Sequence, residues 1–398
     1  MFIKTSRKTG GRVLDSRDLQ DEFVAKDLSR RQMVQSVMLG SVGAWLGAAG
    51  LAGCSGDATG SSSGNTPEGG VGADGGTSDG NIVKPGHLIG MGYHASDRSE
   101  ALNAALKETI GLGMIKAGQS VYLRVNCNSG DLYPYSTSAD TILQVGGMLR
   151  DIGVTDIRIG DRSFWGDQNT AANMVKNGVT GAATKLGTTA VVFDDKVDWV
   201  TLPSEVHPNW TGTVRLPKAV VEADHMIILS CVKTHFIAQI TMSLKISLGL
   251  VHASDRSRAG NLKTHDTNVL HKQTAQINKA FTPSLVIQDG YSAVISGGPT
   301  VNDKPPGAPA GFTKGITGDP KVFIVSTDRV AADVAGIAVL QTLSPSYEYV
   351  HKTKPFANPG IVEAINIELP GSIKDPSAFD LSGPTVPELE TYRAKVTG

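Results

Sequence analysis

Cysteine is scarce in this chain, with 3 in 398 residues. Cys54 lies in a leader-like N-terminal region, which leaves Cys127 and Cys231. Two cysteines are too few for a disulfide framework or an iron–sulfur cluster. A surplus of either charge is also lacking: 37 Lys and Arg stand against 38 Asp and Glu, a formal net charge of −1. Such a balance indicates no nucleic-acid footprint and no strongly acidic surface. Residues 1–53 carry 8 basic and 5 acidic side chains, so the one local basic excess belongs to the leader. There is no P-loop, and Gly90-Met91-Gly92 and Gly111-Leu112-Gly113 lack the third glycine of a nicotinamide dinucleotide fingerprint. Five of the 9 histidines (His225, His235, His252, His265 and His271) fall within 47 residues, but no pair has the spacing of a metalloprotease motif. A divalent metal held by His and Asp from separate strand ends stays open.

What is present begins with an address. Ser29-Arg30-Arg31-Gln32-Met33 is a twin-arginine pattern, followed by a weakly apolar, glycine-rich run to Gly53. Leu51-Ala52-Gly53-Cys54 then resembles a bacterial lipoprotein processing box. Together they imply export of an already folded protein, cleavage before Cys54 and a lipid on its sulfur, so that the lipid bilayer is a partner. Ser55, where an aspartate would signal retention, favours the periplasmic face of the outer membrane. The competing reading is a transmembrane anchor, for which Gln35, Ser36, Ser41 and the glycines are poor material. Residues 54–84, rich in Gly, Ser, Thr and Asp, read as a flexible tether. Gly60-Ser61-Ser62-Ser63-Gly64 matches a nucleophile elbow in letters only, with no strand before it and no helix after it.

From residue 85 to 398 the chain reads as one large α/β domain. Apolar strands are expected near 87–93, 120–126, 154–160, 189–194, 225–230, 284–289 and 321–327, with one more at 361–369. Helices are expected near 97–112, 138–152, 167–178, 236–250, 265–281 and 328–342, with caps at Asp97, Ser138 and Asp328. This alternation predicts a mainly parallel, doubly wound sheet with helices on both faces. In such sheets ligands bind beyond the carboxyl ends of the strands. The residues there are Asn126, Asp161 with Arg162, Asp194 with Asp195, Lys233 with His235, Asp289 with Gly290, and Asp328. Each has a plain structural explanation: Asp328 as a helix cap, Asp289-Gly290 as a turn, Asp161 as the partner of Arg162. Their repetition along one edge argues for a site.

The stretch Ile227–His252 concentrates this signal. Lys245 is the only charge in the apolar run from Phe236 to Val251, which is too short and too polar to span a membrane. On a helix, Thr241, Lys245 and Gly249 share a face, and Gly249 lets backbone or ligand come close to the ammonium. Burying that ammonium requires an anionic partner, with Asp289 or Asp328 the expected supply. Cys127 and Cys231 both follow strands at this edge, so a disulfide between them is open if those strands are neighbours.

Val232-Lys233-Thr234-His235, Ser243-Leu244-Lys245, Gly249 and His265 resemble the signature region of the bacterial family called domain of unknown function 362. Asn126, Asp289-Gly290, Gly297-Gly298-Pro299 and Thr327-Asp328 through Ala332-Asp333 extend the resemblance over about residues 87–370. Ile246 stands where the family usually has Asn, and Arg124-Val125-Asn126 replaces its usual lysine. Some members carry ferredoxin-type cysteine clusters, which this chain cannot. The resemblance implies an architecture and a set of polar positions but no reaction. The expected function is an exported, lipid-anchored protein binding a small anionic molecule or a divalent metal. In an enzyme, Lys233, His235 and Lys245 would be catalytic, with Asn126, Asp161, Gly249, His265, Asp289, Asp328 and Asp333 binding the ligand. The alternative is a non-catalytic binding or cofactor-assembly protein of the cell envelope. Protein partners are not indicated.

Overall fold

In chain order the strands are β1 (Ile89–Tyr93), β2 (Ser120–Arg124), β3 (Asp156–Asp161), β4 (Ala190–Val192), β5 (Trp199–Thr201), β6 (Arg215–Pro217), β7 (His225–His235), β8 (Gln239–Ile240), β9 (Leu285–Ser296), β10 (Ile316–Gly318), β11 (Val322–Ser326) and β12 (Leu381–Ser382). The helices are α1 (Arg98–Lys107), α2 (Ala139–Ile152), α3 (Thr170–Lys176), α4 (Val179–Lys185), α5 (Lys218–Val221), α6 (Thr267–Asn278), α7 (Arg329–Leu343), α8 (Glu348–His351), α9 (Pro359–Asn366) and α10 (Leu389–Thr397). The structure is a computed structural model and describes residues 88–163, 169–194, 196–256, 262–263, 266–302, 313–343 and 348–398. Cys54 and Arg30-Arg31 therefore lie outside the described residues, as does His265.

The main sheet runs β12-β1-β11-β9-β7-β2-β3-β4, with β8 and β10 as added edges on β7 and β9. β2 pairs in parallel with β3 and β7, β3 with β4, and β7 with β9. β11 is antiparallel to both of its neighbours, β9 and β1. Along this path β11 alone points the other way.

Both faces of the sheet are covered, which is why its central strands are apolar at nearly every position. On one face Val121, Leu123, Ile227 and Ile287 pack with Ala101 and Leu102 of α1 and Ile142 and Leu149 of α2. On the other, Met226, Ile228 and Val286 meet α5 and α6, while Val322 and Ile324 meet α7. The alternation of β11, with Phe323 and Val325 on one side and Val322 and Ile324 on the other, is the two-residue period of a strand buried on both faces. The caps form as expected. Asp97 accepts from the N–H groups of Ser99 and Glu100, and Ser138 accepts from Asp140.

Two expected elements differ. Residues 236–250 are not an α-helix. β7 continues to His235 and folds back on β8, and a 3-10 turn occupies Lys245–Leu250. Gln239 has a left-handed backbone, φ 65°, which interrupts any helix there. The Asp333 carboxylate then takes the N–H groups of Ser243 and Leu244, so a side chain replaces the helical ladder. The strand expected at 361–369 is instead α9, with Asn358 as its cap and Pro359 at its first position. The excursion after β4 contains the separate β5–β6 pair.

Candidate functional site

Strands β2, β3 and β7 deliver polar residues to the same carboxyl edge. Arg124, the last residue of β2, is only 1% exposed although it sits in an apolar strand. Its Nη1 lies 2.9 Å from Asp161 Oδ1 at the end of β3, both side chains being 2% exposed. The other guanidinium contacts run to the carbonyls of Val125 and Ile246. Asp161 Oδ2 accepts the Cys127 N–H at 2.6 Å. Arg256 donates to the carbonyls of Leu248, Arg162 and Ser163. Lys233 is fully buried at the end of β7 and donates to the Tyr135 carbonyl. Burial pushes its pKa down.

Together these residues wall a small, narrow cleft. Five cationic side chains line it: Arg124, Arg162, Lys233, Lys245 and Arg256. Among the described residues Asp161 is the single carboxylate on its wall, and Asn126, Asn128 and Thr241 add neutral polar groups. Thr241 is 6% exposed, and its Oγ1 has no hydrogen-bond partner among the described residues. Gly249 lies flat against the ion pair. A Cβ there would run into Arg124 Nη2 and Asp161 Oδ1, so only glycine lets the 3-10 turn come this close.

Lys245 lines this cleft and also a second, equally small cavity, which it shares with Ala238, Ile240, Leu244, His271 and Asp333. Its ammonium has no hydrogen-bond or ion-pair partner among the described residues. Burial, and then the charge of Lys233, lower its pKa to about 7. His235 accepts the N–H groups of Ile237 and Ala238 on Nδ1, at 3.1 and 3.2 Å. Its proton therefore sits on Nε2. Burial, followed by the charges of Lys245, Lys233 and His271, holds the imidazole pKa well below its ordinary value, so the ring is neutral. His271 is lowered to about 4 by burial and then by Lys245. Asp333 is raised to about 6 by burial, although Ser243, Leu244 and Gln288 all donate to it.

Of the residues singled out in the sequence, Asn126, Asp161, Lys233, Lys245 and Gly249 meet on this cleft. His235 stands near enough for Lys233 and Lys245 to shift it. Three carboxylates do not join them. Asp289 is occupied on the α1–α2 face, accepting from Arg98, from Tyr133 Oη at 2.5 Å, from Thr141 Oγ1 at 2.6 Å and from the Tyr291 N–H. Asp328 follows the one reversed strand, so it lies at the opposite, amino edge. There it caps α7 through Val330 and Ala331 and holds the Ile373 N–H. Asp333 lines the second cavity and is spent on the 243–244 backbone. Lys245 therefore lacks the expected carboxylate partner, because Asp289 and Asp328 are each satisfied elsewhere. Cys127 and Cys231 are free, buried thiols and not a disulfide.

Sequence reasoning passed over Arg256 and treated Arg124 and Arg162 as incidental. An arginine in an otherwise apolar central strand is a usable signal, because such a residue is rarely buried without a task. Arg256 stands in the charged run Asp255-Arg256-Ser257-Arg258 and reads as an ordinary solvated loop. Among the described residues no group of three or more His, Cys, Asp or Glu side chains is placed to hold a metal ion, and no helix is long and apolar enough to cross a membrane.

This is a mainly parallel, doubly wound α/β protein with a polar cleft at the carboxyl edge of its sheet. The chain belongs to the family described as Domain of unknown function (DUF362), whose model matches residues 121–338. No curated protein matches the chain.

Proposed function

We propose that the cleft binds a small anion carrying a carboxylate or a phosphate group. The observation that carries this reading is the lining itself, three arginines and two lysines against one carboxylate among the described residues. Cationic groups gathered in one cleft repel one another, and an anion placed among them relieves that repulsion. Several of the cations are already fixed on backbone carbonyls, which holds the wall in place before a ligand arrives. The same donor set is unsuited to a divalent cation, which needs carboxylate or neutral imidazole ligands without competing ammonium groups. Whether the bound anion is also transformed depends on Lys245, Lys233 and His235, the groups able to neutralise charge or move a proton. A non-catalytic envelope receptor would use the same wall.

The ligand reading is tested by thermal unfolding with phosphate, oxalate or pyruvate, and separately with magnesium or zinc. An anion at a hundred times its Kd stabilises by about 2.7 kcal/mol, so a rise in Tm with at least one oxyanion, and none with the cations, is expected. No rise with any oxyanion overturns the reading. The twin-arginine and lipobox residues support export and anchoring through Cys54 at the periplasmic face. Cys54→Ala should then move the protein from the membrane fraction to the soluble one, and a wild-type chain found soluble with its N-terminus intact defeats that part.

A further inference from the structure

We propose that Lys245 is a nucleophile that condenses with the carbonyl carbon of a small oxo acid whose carboxylate sits among the cations of the cleft. The proposal rests on the anion-binding reading above and names its substrate class. Three observations carry it. Lys245 stands on the boundary between the basic cleft and a second, largely apolar cavity, so a molecule with an anionic end and a short apolar end would place its middle at the amine. The amine is not engaged by any acceptor among the described residues, unlike Lys233, which is tied to the Tyr135 carbonyl. Its surroundings, withdrawn from water and with Lys233 on the same cleft wall, disfavour the ammonium form. Asp333 lines the apolar cavity but is occupied by Ser243, Leu244 and Gln288. The lowering of Lys245 to about 7 agrees with this placement, and desolvation beside other cations is a known way to activate an amine.

The step balances without an oxidant. The amine lone pair attacks the carbonyl carbon while the C=O π pair moves to oxygen, which takes a proton. The nitrogen gives up its proton, the hydroxyl leaves as water, and a C=N bond remains. Starting from the ammonium form, the products are a protonated imine and one water. His235 lines neither cavity, so the proton taken by the oxygen is the one the nitrogen gives up.

The probe is pyruvate, with borohydride added to reduce any imine to a stable secondary amine. The intact chain should gain one adduct, mapped to the peptide that contains Lys245. Lys245→Arg, which keeps the charge, should lose that adduct while still gaining thermal stability from pyruvate. Excess phosphate should suppress labelling of the wild type. If pyruvate raises the Tm but leaves no adduct at Lys245, the imine is overturned and the anion reading stands. If adducts scatter over other lysines and persist in Lys245→Arg, the imine is likewise overturned. If neither pyruvate nor phosphate raises the Tm, the anion reading falls and takes the imine with it.

Discussion

Two buried arginine–aspartate pairs stand at the same edge of this sheet, and they are in opposite condition. Asp289 accepts from Arg98, Tyr133, Thr141 and the Tyr291 backbone, and Arg98 lies over the rings of Tyr133 and Phe323 at 4.4 and 5.2 Å. Every acceptor site of that carboxylate is used. Asp161 receives Arg124 and one backbone N–H, and Arg162, Lys233, Lys245 and Arg256 line the same cleft. A polar network with every acceptor filled fixes a fold, whereas a cleft lined by several cations is the place proposed above for an anion.

Removing each carboxylate in turn gives the largest effect and tests the contrast directly. Asp161→Ala strands the buried guanidinium of Arg124 and should cost about 3–5 kcal/mol in urea unfolding, while Asp289→Ala, whose partner Arg98 keeps some contact with solvent, should cost less. Phosphate should restore a substantial part of the loss in Asp161→Ala, because it supplies Arg124 with a counter-charge. It should restore little of the loss in Asp289→Ala, where Arg98 is the one cation paired with that carboxylate among the described residues. Equal rescue of the two variants would erase the distinction.

Lys245 sharpens the contrast with an effect of the opposite sign. Its folded pKa of about 7 is below the 10.5 of an ordinary lysine, so the unfolded chain holds the proton more tightly. Stability is therefore lost as pH falls from about 10 to 7, and the loss levels off below that. Lys245→Met should be more stable than the wild type by about 2–4 kcal/mol at pH 7, the gain fading towards pH 10. Unfolding curves across that range measure it. A destabilised Lys245→Met would mean that the ammonium has an anionic partner after all.

Gly249→Ala is the next smaller step. The added methyl collides with Arg124 and Asp161, and relief of that overlap should cost about 1–3 kcal/mol. Because the shift falls on the cleft wall, oxyanion stabilisation should weaken together with the fold. Gly147→Ala makes a clean control, since a Cβ there meets nothing within 4 Å. Inside α2 that change should gain about 0.5–1 kcal/mol, and a loss there as large as at Gly249 would take the effect out of the cleft.

The sheet was legible because strands buried on both faces leave an unmistakable apolar signature, as in Ser120–Arg124 and Val322–Ser326. The helix assigned to 236–250 was not. Its four-residue steps did bring Thr241, Lys245 and Gly249 to one cleft, but through β8 and a 3-10 turn stapled by Asp333, a contact 90 residues away in sequence. The same limit governed Asp328. Its cap was readable from neighbouring residues, while the reversal of β11 that takes it to the far edge depends on pairing with β1 and β9. Strand direction is a tertiary property, and no local pattern in Thr327-Asp328 reports it.

The two cysteines give the smallest effect. Both are buried without being bonded to each other. Cys231 donates to the Ser136 carbonyl at 3.2 Å, and burial lifts its pKa to about 11. Cys127 is also raised, by burial and then by the charge of Asp161. A thiol held protonated and out of solvent is neither a nucleophile nor a partner for exchange. Iodoacetamide at pH 8 should therefore leave both peptides unmodified in the native protein and alkylate both in urea, read by mass spectrometry. Cys231→Ala, which removes one weak donor and little volume, should cost no more than about 1 kcal/mol. Fast labelling of Cys127 in the folded chain would mean that the Asp161 corner opens to solvent, and the closed wall from which the cleft's charge surplus is argued would have to be redrawn.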